Sequence, residues 1–209
     1  MRTFADGSPR VGMVYCWYRM IDEQARVSAP PWAPVIEGSA LDRLLELSVG
    51  TGSSPLIRRS ALGDLRYSLE LDACEDWLLQ LQMAAKHEVA CTRAFLLGYR
   101  MTPRNMSADR ERMTRATIRL YEILLPDLRG RERRIAKRGL RLWRAIHAIA
   151  QSRWPLAATI AQALKRPFVA RRLMAELRYR REEEARRSRS GADNCAKRPF
   201  FQSLSPDEF

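Results

Sequence analysis

Apolar residues recur at spacings of three and four along much of the chain, the period of one helix face, and predict an all-α fold. Val11 to Val27 reads as a helix with aromatics on one face (Tyr15, Trp17, Tyr18), closed by Pro30, Pro31 and Pro34. Ser39 offers an N-cap to a short helix through Leu41, Leu44, Leu45 and Leu47. The stretch from Gly50 to Pro55 (GTGSSP) is a turn and a candidate hinge. From Leu56 to about Tyr99 the apolar positions (Leu78, Leu81, Ala85, Val89, Phe95, Leu96) read as two helices that break near Leu69 to Asp72. No alternating strand pattern stands out.

Pro103, within Gly98 to Met106, marks a boundary. Beyond it Ser107 can cap a helix whose first turn holds Asp109 and Glu111, favourable against the helix dipole. That helix is expected to bury Met113, Ile118, Leu120 or Tyr121, and Leu124, and to end at Pro126 and Gly130. A long helix follows from Arg131 to about Trp154, then a shorter one from Leu156 to Leu164, and a last one from near Phe168. After Arg187 the periodicity stops, which predicts a flexible tail. The expected organisation is a helical interaction domain over 1–102, a basic helical domain over 103–190 and a tail over 191–209.

Charge sharpens this division. The chain of 209 residues carries a formal net charge of +13. Residues 1–102 hold 11 Lys+Arg against 12 Asp+Glu, residues 103–190 hold 24 against 9, and residues 191–209 hold 2 against 3. The whole excess therefore lies in 103–190. A concentrated positive field attracts polyanions, and arginine, the dominant base here, binds phosphate bidentately. A GC-rich coding sequence would also favour arginine, so composition alone does not decide.

The helix from Arg131 gives the excess a shape. Ile135, Leu142, Trp143, Ile146, Ile149 and Ala150 line one face, while Arg134, Lys137, Arg138, Arg141 and Arg144 line the other. Five like charges on one stripe repel each other, and bound phosphates would relieve that repulsion. A solvated basic face is the plainer alternative. Farther on, two helices joined by a tight turn resemble a helix-turn-helix over about 25 residues. Its second helix would read DNA through Arg171, Arg172 and Arg178, helped by Gln162, with Thr159, Lys165 and Arg166 near phosphates. The pattern departs from that motif: Lys165 replaces the turn glycine, Pro167 occupies the turn, and Val169 comes about two residues early. An ordinary helical hairpin explains it equally well.

Catalysis finds little support. His87 and Cys91 would share a helix face at i,i+4, but Cys74 would lie about 20 Å away along that helix, and no further ligand is evident. His147 falls at the edge of the basic helix's core face. Asp72, Glu75 and Asp76 cluster where a helix start favours negative charge anyway. No nucleophile elbow, zinc-protease motif or phosphate loop is present, so neither enzyme activity nor a cofactor or metal is expected. The four cysteines are widely spaced and read as reduced thiols of a cytoplasmic protein, and no run of about 18 apolar residues could span a membrane.

The sequence thus predicts a nucleic-acid-binding protein, most readily a DNA-binding transcription regulator of bacterial or mobile-element type. Its N-terminal half would hold a protein partner or a second copy through aromatics around Trp17 and Trp32. Phe200 and Phe201 in the tail are further candidates for docking on a partner. The alternatives are a non-catalytic subunit of a ribonucleoprotein or antitermination-type complex, and a membrane-surface or effector protein using basic amphipathic helices.

Overall fold

The first long element overturns the all-α expectation. In the computed structural model, which describes residues 8–151, Val11–Ile21 is not a helix but a strand, β1. The elements that follow are α1 (Leu41–Leu44), β2 (Leu56–Ile57), α2 (Arg59–Leu62), α3 (Glu75–Ala84) and β3 (Glu88–Arg100). After a 3₁₀ turn at Met106–Ala108 come α4 (Arg110–Leu124) and α5 (Gly130–Ala150). The described residues fall into two units, one running to Leu140 and a second starting at Arg141.

The sheet is mixed, in the order β2-β1-β3. β1 pairs antiparallel with the two residues of β2 and parallel with β3. A parallel neighbour requires a crossover, and α3, packed on both β1 and β3, supplies it. Two physical features hide these strands from a periodicity reading. The first five residues of β1, Val11 to Tyr15, are all buried, so no polar position alternates with the apolar ones. In β3 the register slips twice: Cys16 faces Thr92, Trp17 faces Phe95 and Tyr18 faces Leu97. These irregularities insert Arg93, Ala94 and Leu96 into β3 and break its period of two. The β-branched and aromatic content of both segments was the legible strand signal.

The helices outside the sheet follow the sequence more closely. α1 forms where Leu44 and Leu45 point inward, although Ala40, not Ser39, stands at its N-cap. Asp109 caps α4, accepting a hydrogen bond from the Arg112 backbone N–H at 2.9 Å. Ser107 instead shares a 2.8 Å hydrogen bond with the Tyr99 hydroxyl. α4 buries Leu120 and Tyr121 as expected, together with Thr114, Ala116 and Thr117. The two threonines can be buried because their hydroxyls donate to Arg110 O (2.7 Å) and Met113 O (2.8 Å).

Tyr121 is the fixed point between α4 and α5. It is 1% exposed, and its hydroxyl donates to Leu45 O at 2.6 Å. Gly139 of α5 lies so close that a Cβ there would meet Tyr121 Cζ at 2.5 Å and its hydroxyl oxygen at 2.6 Å. Gly→Ala in a helix interior ordinarily stabilises by about 1 kcal/mol. At Gly139 the sign should reverse. The ring is held by a buried hydrogen bond, so overpacking is expected to leave Gly139→Ala less stable than the parent by about 1–2 kcal/mol. A lower urea midpoint with unchanged slope would show it.

Candidate nucleic-acid interface

The site is built on α5, which begins at Gly130, a residue with φ +49°. Its inward face carries Ile135, Ala136 and Leu140 in the first unit, and Leu142 and Ile146 are buried in the second. Trp143 is half-buried. On the outward face Arg134, Lys137, Arg138, Arg141 and Arg144 are all exposed, as the amphipathic pattern requires.

Several other arginines of the basic region sit beside carboxylates of the fold. Arg112 pairs with Asp72 at 3.2 Å, Arg119 with Glu70, Arg115 with Glu111 at 3.6 Å, and Arg131 with Asp42 at 2.7 Å. Each of these charges is compensated by a carboxylate of the same fold. Arg129 and Arg133 serve the turn between helices, donating to the carbonyls of Pro126, Leu128 and Leu125 that close α4. Within the described residues, the outward face of α5 thus carries a row of five exposed cations. None of the compensating carboxylates Asp42, Glu70 and Asp72 lies near its arginine in sequence, so no local signal reveals those pairs.

The other expected site residues fall elsewhere. Thr159, Gln162, Lys165, Arg166, Arg171, Arg172, Arg178, Phe200 and Phe201 lie outside the described residues, and so does the helix-turn-helix pattern. Trp17 is half-buried on β1, its indole N–H donating to Pro34 O at 3.1 Å and its ring tilted against Phe95 at 5.3 Å. Trp32 is also half-buried, donating to Val49 O at 3.2 Å and stacked on Tyr18 at 6.4 Å. Both indoles anchor loops to the sheet. The expected His87–Cys91 helix face does not form, because Cys91 lies in β3 and His87 precedes it. Cys74 is at the N-cap of α3, its thiol 3.5 Å from the Thr117 hydroxyl. Among the described residues no helix is long and apolar enough to cross a membrane.

The acidic cluster contains one perturbed group. Asp76, in the first turn of α3, accepts a 2.7 Å hydrogen bond from the Trp77 N–H. Burial pushes its carboxyl above the ordinary range, against the lowering effect of that bond and of the Gly52 N–H. A raised folded-state pKa means the fold holds this proton more tightly than the unfolded chain does. Its stabilising contribution is therefore present at low pH and is lost as pH rises through the raised value. Asp76→Asn keeps an oxygen to accept both N–H groups and cannot ionise. Its stability should vary less between about pH 4 and 7 than that of the parent, as compared by urea midpoints across that range.

No family model matches the chain, and neither a curated protein nor a solved structure matches it.

Proposed function

We propose that this protein binds nucleic acid, duplex DNA in preference to RNA, by seating the outward face of α5 on backbone phosphates, and that it acts as a transcription regulator. The observation that carries this reading is the run of exposed cations along the outward face of α5. Arg134, Lys137, Arg138, Arg141 and Arg144 are all exposed there at helical spacing. A helical row of like charges suits a duplex, which carries one charge per about 1.7 Å of axis, better than a single strand of lower charge density. Contacts of this kind fix position and register on the polymer and do not read bases.

The test is titration of the whole chain with random duplex DNA, single-stranded RNA and anionic vesicles over a salt series. If all five cations reach phosphates, log K against log salt should fall with a slope of about −4.5 for duplex DNA. Binding to vesicles alone, or no salt-dependent binding to any of the three, would overturn the reading.

A further inference from the structure

Away from the basic stripe, α1, α3 and the turn from α4 into α5 enclose an open cavity of about 450 Å³. Its floor is aliphatic: Leu41, Leu65, Leu81, Ile123, Leu124 and Leu128. Only Leu81 is fully buried there; the other five remain half-exposed around the hollow. The lining is mostly aliphatic, and the volume falls within the usual range of small-molecule sites.

The charges around the floor narrow the choice of ligand. Lys86, just after α3, lines the cavity together with Asp127 and Glu132 from the turn into α5. Among the described residues none of these three side chains is in an ion pair, so Lys86 does not neutralise either carboxylate. Arg129 also lines the cavity and keeps its positive charge there, while its guanidinium donates to the carbonyls of Pro126 and Leu128 in closing α4. A ligand of one sign would meet attraction from one part of this rim and repulsion from another. A zwitterion can satisfy both, its carboxylate beside Lys86 and its ammonium beside Asp127 or Glu132.

We infer that the cavity binds an aliphatic zwitterion of about dipeptide size, its side chains on the leucine floor and its two termini paired with these rim charges. The site is separate from the nucleic-acid reading and stands or falls without it. Calorimetric titration of the whole protein with the dipeptide Leu-Leu tests it, with Gly-Gly, N-acetyl-Leu-Leu and Leu-Leu amide as comparisons. Leu-Leu should bind, and each comparison, lacking the apolar side chains, the ammonium or the carboxylate, should bind at least tenfold more weakly. Lys86→Met and Glu132→Gln should each weaken Leu-Leu binding while leaving the thermal midpoint in place. Absence of Leu-Leu binding would overturn the inference. So would equal binding of the blocked peptides, which would mark a surface for uncharged apolar segments, or unaltered binding by both variants.

Discussion

Trp77→Ala should destabilise the fold by about 3–5 kcal/mol, a large part of the 5–15 kcal/mol that holds a typical domain together. Trp77 is 7% exposed on α3, and its ring meets Tyr121 of α4 edge-on, with centroids 6.0 Å apart and planes at 79°. Its indole N–H donates to Leu44 O at 2.9 Å, tying α1 to the crossover helix. Removing the side chain opens a cavity against an aromatic ring that cannot follow, because Tyr121 is itself bonded to Leu45 O and pressed by α5 at Gly139. It also leaves the Leu44 carbonyl without its partner in a dry site, at a cost of about 1–3 kcal/mol within that total. Trp77→Phe separates the two contributions. It keeps most of the ring contact but loses the hydrogen bond and part of the indole's volume, so it should cost less than Trp77→Ala, the difference reporting the ring contact. Urea unfolding followed by circular dichroism measures both variants, and a loss below about 1 kcal/mol for Trp77→Ala would show that this junction does not hold the helices to the sheet.

The same junction shows why part of the fold was legible and part was not. α5 is amphipathic over many turns, and a periodicity that long is a local property of the sequence; Ile135, Leu142 and Ile146 are buried as the spacing requires. α4 was placed correctly, but its buried face is partly threonine, and threonine is buried only where its hydroxyl can bond back to the preceding turn. The strands failed for a non-local reason. β1 is covered from both sides near its start, and β3 carries inserted residues where it pairs with β1, so neither shows the alternation that marks a half-buried strand. Short apolar runs of this kind do not distinguish strand from helix by period. Their valines, tyrosines, tryptophan and phenylalanine, set against the leucine and alanine of α3, carried the distinction.

The stripe on α5 was visible in the sequence for the same reason as the helix, since both repeat with one local period. What the sequence could not show is that carboxylates distant along the chain compensate other arginines. The triple substitution Arg134→Gln, Arg138→Gln, Arg141→Gln is the sharpest functional test of the stripe. If each arginine neutralises one phosphate, the slope of log K against log salt should become shallower by about 2.7, and affinity for duplex DNA at 0.1 M salt should fall roughly several hundred-fold. The three side chains are exposed, so the thermal midpoint should move by no more than a few degrees. Replacing the same residues with lysine keeps the charge and loses the planar fork, and should recover most of the slope with less of the affinity. Substituting Arg112 and Arg119 instead, whose charges are already matched by Asp72 and Glu70, should leave the slope nearly unchanged. If both pairs of results came out alike, the binding field would belong to the net charge of the region, and the stripe would be a solvated face.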